Sequence, residues 1–469
     1  MSLYTVHAHG SLKRSHMAHC NSCDSNESKE FKLVQVNGTW RRQESGDGCY
    51  DGRVSSATIS ESSTANGVCW TVVSPIVFTY KIVQCDNLLD PANGTLLYGH
   101  LNDTDGDEPK SLGSNISKPI RRFIVMDETV HELYGDRVTA YLRARKVIYK
   151  MLPLPTTEEH KSMELVMKIL QEVHDFGIDR RSEPILAIGG GVCLDIVGLA
   201  ASLYRRRTPY IRIPTTLLAY VDASVGAKNG VNFANCKNKL GGYIPPVAAF
   251  LDRSFLATVP PRHISNGLAE MLKMALMKHK GLFEILETKG PELLGSKFQN
   301  QNYGGAEGTT DQSQAASEST RIAIETMLEE LAPNLWEDDL DRLVDFGHLI
   351  SPELEMRVLP ALLHGEAVNI DMCLMVYVAC ERGLLSEGQR SRVVRCMRGL
   401  GLPVWHQSCG LELVRKALAD RLKHSGGLVR MPLPTGLGTA EIFNDTSDDT
   451  ISLAFQKWCA DLGDKHLSE

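Results

Sequence analysis

The run EPILAIGGGVCLDIVGLAASLY, residues 183–204, decides the fold. It opens as a continuous apolar strand, passes through Gly189, Gly190 and Gly191, and continues as an apolar helix. A strand without polar alternation is buried on both faces, which is the habit of a parallel sheet covered by helices. Glycines at the strand-to-helix junction let a ligand's pyrophosphate approach the backbone, and the helix N-terminus offers free N–H groups. The run is apolar enough to suggest a membrane span, but Asp195 and four glycines within 185–204 argue against one.

Moving outward, the same alternation continues. RRFIVMD (121–127) reads as a strand ending in Asp127, EEHKSMELVMKILQEVHDFGI (158–178) as a helix, and YIRIPTT (210–216) as the next strand. Upstream, VCWTVVSPIVFTYKIVQC (68–85) is β-like. After residue 262 the pattern turns helical: 267–287, then segments near 314–331, 338–350, 352–382, 387–399 and 411–422, with little strand. Residues 295–315 are poor in large apolar side chains and read as a mobile loop. Residues 1–68 are rich in Ser, Asn, Gly and charge and read as a mostly disordered extension, with one short strand at FKLVQV. The expected organisation is therefore an extension over 1–68, an α/β nucleotide-binding domain over 69–262 and a helical domain over 263–469.

Composition narrows the function. The 469 residues carry 50 basic and 57 acidic side chains, a net charge of −7, which disfavours a nucleic-acid binder. Twelve scattered cysteines, several in apolar runs, suit a reduced cytoplasmic protein better than a secreted disulfide framework. His16, His19, Cys20 and Cys23 have zinc-like spacing, but no second ligand pair follows at finger distance, so no metal is expected there.

Four segments carry chemistry. The first is the triple glycine with Asp195. The second is IPTTLLAYVDASVGAKNGVNFANCKNKLGGYIPP (213–246), where Asp222, Lys228, Lys237 and Asn238 sit among glycines, a composition suited to a phosphorylated substrate. The third is GLAEMLK (267–273), which sets Glu270 and Lys273 on one helix face. The fourth is FGHLISPELEMRVLPALLHGEAV (346–368), with His348 and His364. With Glu270 these form a two-histidine, one-carboxylate set that leaves positions open on a divalent ion.

These four segments, in this order, resemble the sugar phosphate cyclases, the dehydroquinate synthase-like family, over about residues 70–460. The resemblance implies an N-terminal NAD-binding Rossmann-like domain and a C-terminal helical metal-binding domain. It implies that Glu270, His348 and His364 hold zinc or cobalt. It implies NAD contacts from Asp127, Glu158, Lys161, Gly190, Gly191, Asp195, Thr215, Thr216 and Thr258. It implies substrate and phosphate contacts from Asp222, Lys228, Lys237, Asn238 and Lys273. Arg206, in SLYRRRTPY, matches an arginine that reaches the neighbouring subunit's site, which implies a homodimer. Two positions depart from the dehydroquinate synthases: Pro352 replaces a second histidine, and Asp345 replaces an asparagine. Both resemble the 2-epi-5-epi-valiolone synthase branch, as does KHSGGLVRMPLPTGLG (423–438), where His424 is expected to help recognise substrate. The implied reaction converts sedoheptulose 7-phosphate to a carbocycle and phosphate through transient oxidation, elimination, re-reduction and aldol closure. Desmethyl-4-deoxygadusol synthase, 3-dehydroquinate synthase and a metal-dependent polyol dehydrogenase are the rival readings, and a gadusol-like pathway is the implied setting.

Overall fold

The computed structural model describes residues 3–8, 28–36, 39–44, 53–64, 67–74, 77–101, 119–299 and 310–463. The zinc-like HMAHCNSC group and residues 300–309 of the loop expected at 295–315 lie outside them, while 310–315 belong to a helix rather than a loop. The chain divides into two compact units, one spanning His7–Thr79 and the other Tyr80–Glu469 together with Met1–Val6.

The smaller unit holds a four-stranded antiparallel sheet in the order Thr39–Glu44, Ser28–Val36, Arg53–Thr64, Gly67–Val73. This differs from the expected disordered extension. Its strands mix serine and threonine with sparse β-branched residues, which hides them from a hydrophobicity reading. Yet Val36 pairs with Thr39, and the sequence between them is Asn37-Gly38, a strong hairpin signal. The apolar run from Cys69 is shared between the units: Gly67–Val73 belongs to this sheet, and Phe78–Gln84 runs into the larger unit.

The larger unit is built on a sheet whose order from its edge is Leu3–Ala8, Phe78–Gln84, Ala248–Leu251, Tyr210–Pro214, Ile185–Gly189, Arg121–Asp127, Ile148–Leu154. From Phe78–Gln84 onward all neighbours pair in parallel. Helices cover both faces. On one, Val166, Ile169 and Val173 of helix Met163–Phe176 and Leu194 and Val197 of helix Gly191–Leu203 close a buried cluster. On the other, Tyr134, Val138 and Tyr141 of helix Glu128–Ala144 do the same. Strand Arg121–Asp127 is followed in sequence by Ile148–Leu154 on one side of it and Ile185–Gly189 on the other. A crevice therefore opens at the carboxyl ends of the middle strands, where open α/β sheets bind ligands.

Beyond residue 260 the chain is mainly helical: Pro261–Lys278, Lys280–Ser296, Thr310–Leu331, Ser351–Val358, His364–Glu381, Glu387–Gly399, Leu411–His424 and Asp448–Leu462. The helix expected over 338–350 does not form, apart from one short turn at Leu343–Asp345. Side chains there satisfy local backbone instead: Asp339 accepts from Asp341 N–H and Asn334 from Asp339 N–H. The helix expected over 352–382 is two, divided around Pro360, with Glu366 capping the second by accepting from Leu363 N–H. One short hairpin, Met431–Gly436 with Thr439–Phe443, is the little strand described in this half; Pro432 and Pro434 mask it in sequence. No helix among the described residues is long and apolar enough to cross a membrane.

One buried cation fixes the segment that leads from the sheet to the site. Arg212, fully buried on the central strand Tyr210–Pro214, donates to the carbonyls of Ala223 and Gly226 at 2.6 Å each, and to Lys228 O and Asn229 Oδ1 at 2.9 Å each. Tyr210 OH donates to Asn229 Oδ1 at 3.1 Å. Gly198 leaves room for this knot, since a Cβ there would lie 1.6 Å from Asn229 Oδ1. Gly198→Ala must displace Asn229 and strip Arg212 of an acceptor. The expected cost is about 1–3 kcal/mol in urea unfolding; an unchanged midpoint would contradict the packing described.

Candidate active site and metal centre

The site forms where the carboxyl ends of the strands meet the two most buried helices, Pro261–Lys278 and His364–Glu381. Pro261 starts the first helix, and Glu270 and Lys273, three residues apart, are both almost fully buried on it. They are no surface ion pair. Lys273 Nζ lies 2.6 Å from Glu270 Oε2 and donates to Asp222 Oδ2 at 3.2 Å. Asp222 sits on the wide helical turn Ala219–Ala223 that follows the central strand. His364 is the first residue of its helix, held in place as Gly365 N–H donates to Asn266 Oδ1 at 2.5 Å. His348 follows Gly347, whose φ of +75° turns the chain sharply enough to aim the ring inward.

The two histidines and Glu270 converge. His348 Nε2 and His364 Nε2 lie 3.7 and 3.6 Å from Glu270 Oε1, and one donor atom of each of the three lies within 4.8 Å of the others. Donors bound at zinc distances are roughly 3.4 Å apart. Glu270 Oε2 is engaged by the Lys273 ammonium, while Oε1, the oxygen facing both histidines, has no hydrogen-bond partner. Each histidine ties down its other nitrogen: His348 Nδ1 is 3.1 Å from Phe346 O and His364 Nδ1 is 2.9 Å from Glu355 Oε2. Donation from Nδ1–H leaves the Nε2 lone pair free. A buried carboxylate with one unpartnered oxygen, two aimed imidazoles and an open side fit a divalent ion.

The electrostatics agree. Burial pushes the Glu270 carboxyl up, but the charges of Lys273 and His364 outweigh it and hold the group at about 2. Burial raises Asp222, against Lys273 and with the neighbouring Glu270 charge. Burial, then Lys273 and His364, keep the His348 imidazole well below its ordinary value, hence neutral and able to ligate.

The segment 213–246 contains an antiparallel hairpin, Lys228–Phe233 with Cys236–Tyr243, which the sequence reading did not anticipate. Lys228 Nζ, on an exposed side chain, pairs with Glu337 Oε1 at 2.5 Å. Lys237 Nζ donates to both oxygens of Glu355 at 2.6 and 2.5 Å. Asn238 Oδ1 accepts from Lys161 Nζ at 2.7 Å, and Lys161 also donates to Asp195 Oδ2 at 2.6 Å. Asn232 Nδ2 donates to Glu158 Oε1 at 2.8 Å.

The residues expected to contact NAD gather at the strand ends. Asp127 accepts from Val130 N–H and Thr156 Oγ1, Gly190 faces Thr216, Gly191 faces Ala223, and the buried Thr215 hydroxyl has no partner. Thr258 Oγ1 is 3.0 Å from Tyr134 OH. Arg206 is exposed beyond the end of helix Gly191–Leu203, in a run of three positive-φ arginines. His424 is exposed at the end of its helix. Glu337, Arg342, Glu355 and Arg421 escaped the sequence reading. Each lies in a charged stretch with nothing in its spacing to separate it from a solvated surface.

With this geometry in place, comparison with known proteins is decisive for the family. The family models for the 3-dehydroquinate synthase N-terminal and C-terminal domains match residues 151–266 and 267–424. The chain belongs to the dehydroquinate synthase-like sugar phosphate cyclases. It is 47% identical to a 2-epi-5-epi-valiolone synthase of Actinomyces sp. over 80% of this chain and 94% of that one. It is 36% identical to a demethyl-4-deoxygadusol synthase of Trichormus variabilis over 71% of this chain and 80% of that one. The structure of 2-epi-5-epi-valiolone synthase from Streptomyces hygroscopicus subsp. jinggangensis, with NAD+ and Zn2+ bound, superposes with a TM-score of 0.75 at 44% identity, covering 84% of this chain and all of that one.

Asp345 offers a stability test. It is buried and accepts from Arg342 Nη2 at 2.7 Å and Arg421 Nη2 at 2.6 Å. Burial raises its carboxyl, but Arg342 and Arg421 prevail and hold it at about 2, below the roughly 3.9 of an unfolded chain. A depressed carboxyl contributes stability above the unfolded value, lost as pH falls toward the folded one. Asp345→Asn should cost roughly 2–3 kcal/mol at pH 7, with the gap to wild type closing between about pH 4 and pH 2. Denaturant unfolding across that range checks it; a gap that does not narrow would refute the pairing.

Proposed function

We propose that the chain is a 2-epi-5-epi-valiolone synthase, cyclising sedoheptulose 7-phosphate with release of phosphate. The observation that carries this reading is the unpartnered Oε1 of the buried Glu270 carboxylate facing two histidines, with lysines nearby that are each held by a carboxylate. NAD+ supplies a hydride acceptor that is regenerated within each turnover, and a zinc or cobalt ion supplies a Lewis acid. Glu270, His348 and His364 hold the ion. The glycines and threonines at the strand ends, with Asp127, Glu158, Lys161 and Asp195, seat the dinucleotide. Lys228, Lys237, Asn238 and Lys273 hold the phosphate so that it departs in line with a fixed carbon chain. Enclosure of both ends of the opened sugar in one pocket favours ring closure by proximity.

Asp345 supports this substrate over the dehydroquinate precursor. That precursor carries a carboxylate, whereas sedoheptulose 7-phosphate carries a hydroxymethyl group. Asp345 occupies Arg342 and Arg421 and adds a negative charge of its own, which disfavours a second carboxylate nearby. His424 is assigned to substrate recognition from the same branch likeness. We also assign a homodimer in which Arg206 serves the neighbouring site; its exposure supports that role. The nine cysteines among the described residues are all free, which suits a reducing cytoplasm. A gadusol-type pathway would consume the product.

The test is phosphate release by purified protein with catalytic NAD+ and Zn2+ or Co2+, comparing sedoheptulose 7-phosphate with 3-deoxy-arabino-heptulosonate 7-phosphate. Release from the first alone, without net NADH, is expected, and NMR of the product separates valiolone from deoxygadusol. Release from the second alone would make this a dehydroquinate synthase; net NADH would make it a dehydrogenase. Glu270→Gln, His348→Ala and His364→Ala should each lose metal and roughly 10³-fold or more in rate while remaining folded. Lys228→Ala should bind NAD and metal yet turn over poorly.

A further inference from the structure

Glu355 lies on the short helix Ser351–Val358 and is almost fully buried. Its Oε2 is 2.9 Å from His364 Nδ1, and both its oxygens accept from Lys237 Nζ. Lys237 Nζ itself lies 2.9 Å from His364 Nδ1. A bare Nδ1 could accept from the Lys237 ammonium, but its lone pair would then face Glu355 Oε2 at 2.9 Å, so the Nδ1–H form is the one that avoids repulsion from the carboxylate. Lys237 and His364 Nδ1–H both donate to Glu355, and the His364 lone pair is left on Nε2, toward Glu270.

The same carboxylate therefore answers two groups with different tasks. One is a candidate metal ligand. The other is a lysine on the hairpin arm, whose next residue, Asn238, reaches Lys161 and through it Asp195. Shape alone does not meet these demands. A glutamine of the same size offers one acceptor and turns an NH2 group toward either the ammonium or Nδ1–H.

The geometry points to Glu355 as the positioning residue of the metal centre, fixing the tautomer and orientation of His364 and raising its donor strength, with Lys237 as its competing partner. This rests on the divalent-metal reading of the site. A carboxylate behind a ligating histidine is worth about 10–100-fold in metal affinity. The competition adds a sign. Removing Lys237 gives His364 the whole carboxylate, so metal should bind as well as before or better. A purely structural Glu355–Lys237 ion pair predicts instead that losing either partner harms the site alike.

The experiment is Co2+ titration of the full chain, following the visible absorption of the bound ion, for wild type, Glu355→Gln and Lys237→Met, with thermal unfolding recorded for each. We expect Glu355→Gln to weaken Co2+ binding about 10–100-fold with an altered spectrum and little change in melting, and Lys237→Met to bind Co2+ at least as tightly as wild type. Wild-type affinity in Glu355→Gln overturns the inference and leaves the proposed function standing. Equal losses in both variants also overturn it, in favour of a structural ion pair. Should Glu355→Gln fail to fold, weakened binding in folded Lys237→Met overturns it by itself. No Co2+ binding by wild type overturns both this inference and the metal reading beneath it.

Discussion

The active site depends on a cation that never touches it. Arg212 is buried on the central strand with backbone carbonyls and Asn229 around it, in place of a carboxylate. A charge taken out of water is tolerable only where fixed dipoles replace the lost hydration. Here those dipoles come from the segment 223–229, so solvating Arg212 and shaping that segment are one event. Asp222 lies just before the segment and Lys228 within it. Their placement is thus anchored to the sheet rather than left to a loop.

Around the metal ligands, cations and carboxylates alternate. Lys161 meets Asp195, Lys237 meets Glu355, Lys273 meets Glu270 and Asp222, and Lys228 meets Glu337. Folding has therefore already met the cost of desolvating the two buried lysines, Lys161 and Lys273, and much of that for the half-buried Lys237. An incoming phosphate exchanges one anionic partner for another and finds donors already oriented, the arrangement that lets electrostatic stabilisation act without reorganisation. Lys228 differs: its side chain is more than half exposed while its partner Glu337 is buried. It is the lysine freest to swing toward a ligand.

What the sequence reveals follows physical scale. The parallel sheet was legible because strands such as Ile185–Gly189 are buried on both faces and have no polar interruptions. The ligand set was legible because Glu270, His348 and His364 stand in apolar surroundings that single out a polar group. Strands Ile148–Leu154 and Ala248–Leu251 were not, being short or interrupted by Pro153. The N-terminal sheet was not, because its strands are rich in polar and charged residues and show no sustained apolar alternation. Glu355 and Glu337 were hidden for the opposite reason: they sit among other charges, and only three-dimensional folding shows which of these are inside. His424 stands out by likeness alone, since an exposed histidine at a helix end has no physical signal of its own.

The hairpin that carries Lys237 and Asn238 has a consequence for how this protein can evolve. The arm bulges at this point: Asn238 has a φ of +51°, and the pairing register shifts between Val231 and Phe233. Here Lys237 turns to Glu355 and His364, and Asn238 to Lys161. Exchanging one side chain alters one contact. Inserting or deleting a single residue at the bulge would move the register that sends the lysine to Glu355 and His364 and the amide to Lys161. Natural variants should therefore change letters in this arm freely at Phe233 or Leu240, which are exposed, while its length stays fixed.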